Sequence, residues 1–144
     1  MAKLEIKMPD EFLENLSRIG TDFDYVAKKA LQEGAKPILD QARQNLRGVI
    51  GKDTKYPSRS KGELLGSLGV TPPLQDKDGN WNIKIGVGDS IDSEGVPNAL
   101  KAQVLEYGKA GQAPKPWLKP ARRKGRKAAI SRMQDVLEKE LKIR

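Results

Sequence analysis

Pro114, Pro116 and Pro120 stand around Trp117 and Leu118, and no other stretch of the chain restricts its backbone as much. Proline fixes φ at about −65° and has no N–H to donate, so it is excluded from helix interiors and central strands. The spacing predicts a rigid, extended arm over about residues 109–121. It would follow the apolar run Val104-Leu105-Glu106-Tyr107, which stops at Gly108, and lead into a basic stretch. An arm with little backbone entropy left to lose is suited to docking. Its Trp117 either plugs the protein's own core or docks onto a neighbour.

Elements on either side of the arm are read from periodicity. Leu4, Ile6 and Met8 recur at period two before Pro9, which predicts a short edge strand. Asp10 is a suitable N-cap for a short helix over Glu11 to Ile19. Phe23, Val26, Ala27, Ala30, Leu31, Gly34, Ile38, Ala42, Leu46 and Val49 then recur at steps of three and four. Lys28, Lys29, Glu33, Lys36, Asp40, Arg43 and Arg47 lie between them, so a long amphipathic helix is expected, kinked or divided at Pro37. Residues 48–62 are rich in Gly, Ser, Pro and Lys and read as a flexible loop.

A helical turn over Glu63 to Leu68 leads to a strand start at Leu68-Gly69-Val70-Thr71, which Pro72-Pro73 interrupts. Asp78-Gly79 supplies the positive φ of a hairpin turn, after which Trp81, Ile83, Ile85 and Val87 alternate along a half-buried antiparallel strand. Val96 to Tyr107 fits helix or strand. Ala128, Ile130, Met133, Val136, Leu137 and Leu141 form the apolar stripe of a final helix. The expectation is one α+β domain over residues 1–144, with a long N-terminal helix and a C-terminal helix packed on a small antiparallel β-sheet.

The chemistry open to the chain is narrow. It contains neither cysteine nor histidine, which removes disulfides, thiolate nucleophiles, histidine-based triads and the usual soft metal ligands. Asp76 to Asn80 does not form a calcium loop, because Leu74 and Ile85 would occupy the first and twelfth ligand positions. Gly86-Val87-Gly88 lacks the rest of a dinucleotide fingerprint. Asp89, Asp92 and Glu94 read as a solvated acidic loop in preference to a metal site. The expectation is a protein that is not an enzyme and needs no cofactor.

No stretch approaches the about 20 apolar residues of a membrane span, and the first residues do not form a signal-peptide core. The net charge of +8 points to an anionic partner or surface. Seven cations fall between Lys115 and Lys127 with no acid among them. Of these, Arg122, Arg123, Lys124, Arg126 and Lys127 are the candidate contacts to DNA or to an acidic protein surface. With Trp117 the only nearby aromatic, successive stacking platforms for single strands are missing.

The order of short motifs is more specific than any one of them. Gly62-x-Leu64-x-x-Ser67-Leu68, the strand ending Ile85-Gly86-Val87-Gly88, Ala102-x-x-Leu105-Glu106-Tyr107-Gly108 and Pro114-x-Pro116-Trp117-Leu118-Lys119-Pro120-Ala121 together resemble the HK97 gp10-like family of tailed bacteriophages. Lys61 stands where that family has threonine, and Trp117 where it more often has phenylalanine. The resemblance implies a structural neck or tail-completion protein of the virion, made in the bacterial host cytoplasm. It also implies a homo-oligomeric ring between the head connector and the tail-tube or tail-terminator proteins, close to DNA in the channel.

A ring needs contacts that close by rotation. Tyr56 and Arg59 in the loop, with Lys115, Trp117 and Lys119 in the arm, are the candidate assembly residues. The alternative is a basic nucleic-acid-binding module that uses the Lys115 to Lys127 cluster.

Overall fold

A computed structural model of the chain describes residues 3–7, 23–50 and 62–142. Among these, two long helices and a small antiparallel sheet make an α+β fold. Strand β1 (Lys3–Lys7) precedes helix α1 (Phe23–Val49), the single-turn helix α2 (Glu63–Gly66) and strands β2 (Leu68–Val70), β3 (Leu74–Gln75) and β4 (Trp81–Val87). Helices α3 (Asn98–Tyr107) and α4 (Leu118–Lys142) complete the order.

β4 is the centre of the sheet. β1 pairs along one side of it, with Leu4 opposite Ile85 and Ile6 opposite Ile83. β2 and β3 share its other side, separated by the Pro72-Pro73 break foreseen in the sequence. Ile83 and Ile85 are buried on the face that alternation assigns to them, as is usual for a sheet with one face on a core. Asn82, which alternation assigns to the opposite face, is also buried.

The hairpin turn also forms where Asp-Gly sits. Gly79 adopts φ 85°, and the Asp76 Oδ1 accepts from the backbone N–H groups of Asp78 and Asn80, both at 2.9 Å, which is an Asx turn.

α1 buries Val26, Ala27, Ala30, Leu31, Ala35, Ile38, Ala42 and Leu46, the stripe that its periodicity defines. It does not divide at Pro37. The helix runs unbroken for 27 residues with that proline inside it, because burial along both flanking segments outweighs the loss of one backbone hydrogen bond.

α4 lies antiparallel against α1, and its inner stripe is Ala121, Gly125, Ala129, Met133, Val136 and Leu137. Small residues let the two backbones approach. A Cβ on Gly125 would lie 2.9 Å from Ile38 Cγ1 and 3.1 Å from Ile38 Cα, and one on Gly34 would lie 2.6 Å from Met133 Cε. At the far end of the pair, Lys29 donates to Glu140 at 3.2 Å. That hydrogen bond raises the Lys29 pKa above its ordinary value.

One boundary differs from the sequence reading. Gly48 and Val49 belong to α1, so the flexible loop expected from residue 48 cannot begin there. Helical spacing had already run through Val49, and the glycine is tolerated in the last turn. The rest of that loop, including Tyr56 and Arg59, and the short helix expected over Glu11 to Ile19 lie outside the described residues.

Val96 to Tyr107, open between helix and strand, becomes the helix α3. Pro97 precedes its first residue with φ −63° and ψ 129°.

Candidate assembly surface

The proline arm is only partly extended. Lys109 to Gln112 form a tight turn in which Lys109 donates to Gln112 and Gln112 to Lys109 through their backbones, at 3.0 and 2.9 Å. Residues 113–117 run without regular structure, and α4 begins at Leu118. Pro120 is therefore the third helical residue, which corrects the extended arm expected to run to about residue 121. The first turn of a helix leaves its N–H groups without carbonyl partners, and proline there has none to leave.

The N–H groups on either side of the helix start are satisfied by one side chain. Glu106, buried in α3, accepts from Trp117 N at 2.8 Å, Leu118 N at 2.9 Å and Lys119 N at 3.0 Å. A carboxylate at a helix N-terminus also opposes the positive end of the helix dipole. With Pro120 at the next position, no donor of this turn is left over.

Trp117 is 0% exposed. Its Nε1 donates to Ala102 O at 3.2 Å, and its carbonyl accepts from Asn45 Nδ2 on α1 at 3.1 Å. The tryptophan is thus the plug that joins α1, α3 and α4, and its ring is not on the surface that a partner meets. Tyr107, in the Glu106-Tyr107-Gly108 motif, is 54% exposed.

Gly108 turns the chain out of α3 with φ 79°. A Cβ there would lie 2.8 Å from Gln112 O and 2.9 Å from Pro114 N. Gly108→Ala is expected to cost about 2 kcal/mol or more, combining left-handed backbone strain with a clash against backbone. A urea titration of the variant beside the wild type measures it.

With Trp117 inside, what the segment shows to solvent is charge. Lys119, Arg122, Arg123, Lys124, Arg126 and Lys127 are all exposed, and none makes an ion pair with the described residues. Lys115 is half-buried, its backbone N–H on Leu105 O at 2.7 Å. Because α1 and α4 are antiparallel, the cationic start of α4 lies beside the end of α1 that carries Arg43 and Arg47. Base stacking by the Trp117 ring is not available in this arrangement. The cluster can still neutralise phosphate or carboxylate groups.

The acidic loop forms its own structure. Asp92 Oδ1 accepts from Glu94 N at 2.9 Å and Val96 N at 2.8 Å, and its other oxygen pairs with Lys101. The Lys101 ammonium, with the Val96 and Glu94 N–H groups, holds the Asp92 carboxyl below the ordinary aspartate range. Because the folded value is depressed, this contribution to stability is complete above about pH 4 and is lost as pH falls through the folded value. Asp92→Asn is therefore expected to lower the urea midpoint at pH 7 and to narrow its difference from the midpoint at pH 3. No group of three or more acidic side chains that could hold a metal ion occurs among the described residues.

Between that loop and α2 is a hollow of about 490 Å³ lined by Glu63, Ser67, Asp89, Ser90, Ile91 and Asn98, among others. Glu63 holds the loop closed, accepting from Ser93 N at 2.7 Å and Ser93 Oγ at 2.9 Å. Large apolar side chains stand exposed nearby in the chain, with Ile91 at 64% and Leu100 at 52%. Sequence reading did not find this hollow, since Glu63 and Asn98 belong to different elements and no local pattern links them to Asp89.

A family model described as "Bacteriophage HK97-gp10, putative tail-component" matches residues 10–108. The chain belongs to this family. The match covers more than half of the chain and ends on Gly108, the last residue of the Glu106-Tyr107-Gly108 motif. The three N–H groups that Glu106 receives therefore come from beyond the matched span. No curated protein and no solved structure matches the chain. As a gp10-like phage tail component it has the virion as its place of work, and no helix among the described residues is long and apolar enough to cross a membrane.

Proposed function

We propose that this tail component is a structural subunit of the head-tail junction, assembling with copies of itself into a ring between the head connector and the tail tube. The observation that carries the reading is the uncompensated surface of a small, well-packed protein. Five of the six residues of α4 from Arg122 to Lys127 are cations, and none has an acid paired to it among the described residues. Ile91, Leu100 and Tyr107 leave apolar area in water as well. Unpaired charge and exposed large apolar side chains are what an assembling subunit keeps for its neighbours. Chemistry has no comparable support, because the most enclosed carboxylates, Glu106 and Asp92, are occupied in capping and ion pairing.

The arm contributes to assembly by fixing where α4 starts, with Lys115 and Lys119 at its surface. Any direct contact by Tyr56 and Arg59 belongs to the segment after α1.

Phage particles made without this protein test the reading. Filled heads and complete tails that fail to join, and that join when the purified protein is added, are the expected result. Normal joined virions in its absence would refute it.

A further inference from the structure

Asn98, on the wall of the hollow beside α2, carries one polar atom without a partner among the described residues. Asn98, 2% exposed, donates through its backbone N–H to Ser90 O at 3.0 Å and through Nδ2 to Ser90 Oγ at 3.1 Å. Its Oδ1 has no donor among the described residues. An amide oxygen buried without a donor is costly, and this one is closed to solvent, so a donor gains from it only by displacing the wall that covers it. Asp89, on the same wall, is exposed and unpaired among the described residues, as is Glu94 farther along the loop. Glu63 has both oxygens on Ser93. The hollow therefore offers acceptors and negative charge, and calls for a cationic donor.

The chain supplies such donors on another surface. A guanidinium carries five N–H groups and full charge in a flat fork, and Arg122, Arg123 and Arg126 are exposed on α4 with no acid paired to them among the described residues. Ile91, at the rim, suits the aliphatic stem of a long side chain. We propose that the hollow lined by Glu63, Asp89 and Asn98 receives an arginine from the first turns of α4 of a second copy of this chain. The contact joins two different surfaces, so it is head-to-tail and repeats around a ring when its rotation closes. This rests on the reading of the protein as a ring subunit.

Charge exchange between full-length proteins tests it. One variant carries Asp89→Lys with Glu94→Lys, and the other Arg122→Glu, Arg123→Glu and Arg126→Glu. All five positions are exposed, and circular dichroism melting verifies that both variants fold. Native mass spectrometry at low salt should show each variant alone associating at least about tenfold more weakly than wild type, since each sets like charges against each other. The two mixed should recover the oligomer, because every contact then pairs opposite charges again. Raising salt should weaken the wild-type oligomer.

Wild-type association that both variants retain would overturn the proposal and leave the ring reading intact. Retained association by the arginine variant, with loss of its binding to duplex DNA, would assign those cations to DNA and overturn it as well. A wild-type protein that stays monomeric in solution and is present as one copy per particle would overturn the ring reading and the proposal together.

Discussion

Trp117→Ala is expected to lower stability by ~3–5 kcal/mol, the usual cost of truncating a large buried aromatic. The ring is fully enclosed, and its removal opens a cavity where α1, α3 and α4 meet. It also takes the donor from Ala102 O. Trp117→Phe keeps most of the apolar volume and abandons that carbonyl, so about 1–3 kcal/mol is expected for it. Urea titration measures both, with an unchanged slope showing that stability and not compactness has altered. A Trp117→Ala protein of wild-type stability that fails to assemble would instead return the indole to the partner surface.

Glu106→Ala is the second large effect. It leaves the N–H groups of Trp117, Leu118 and Lys119 without their acceptor at a buried helix start. Each abandoned donor costs about 1–3 kcal/mol, and water entering the vacated space recovers part, so a net loss of ~3–5 kcal/mol is expected. Glu106→Gln tests the charge separately. Its Oε1 still accepts, whereas its Nε2 points a donor at donors, so a smaller loss is expected. Hydrogen exchange should locate the effect, with protection falling first at the N–H groups of Trp117, Leu118 and Lys119 and in the first turn of α4.

Both variants act on one construction, whose parts were visible in the sequence without their connection. Glu106-Tyr107-Gly108 and Pro116-Trp117-Leu118-Lys119-Pro120 stand out as motifs, but nothing local shows that the glutamate of one caps the helix that starts in the other. The buried carboxylate was missed for the same reason. Read by helical spacing alone, Glu106 is a charged residue in an apolar run, and its burial makes sense only with the three N–H groups folded back onto it.

Pro120 was misjudged because the helix was expected to resume only after the arm, where the proline rule for interiors would apply. The rule does not restrict a first turn. Of the two outcomes expected at Pro37, a kink or a division, division does not occur, since the long apolar stripe holds the helix together on both sides of that local penalty.

Where pattern and burial coincide, the sequence was sufficient. The stripe of α1, the Leu4 and Ile6 alternation, the Asp78-Gly79 turn and the β4 strand all reappear, because each is set by spacing within its own element. In α4, among the described residues, only Met133, Val136 and Leu137 of the expected stripe are buried, while Ala128 is exposed and Ala129 faces α1 in its place. The cations of α4 were also correctly placed on the outside. The hollow was not legible, since it depends on α2, the acidic loop and α3 meeting in space.

We infer that this tail component works as a ring where head meets tail. Gold labelling of a tag on the protein in intact particles tests that most directly, with copies counted per particle. Such a ring places the label at a single level between head and tail, from several copies in each particle. Label spread along the tail tube, confined to the distal tip, or arising from one copy per particle would contradict it.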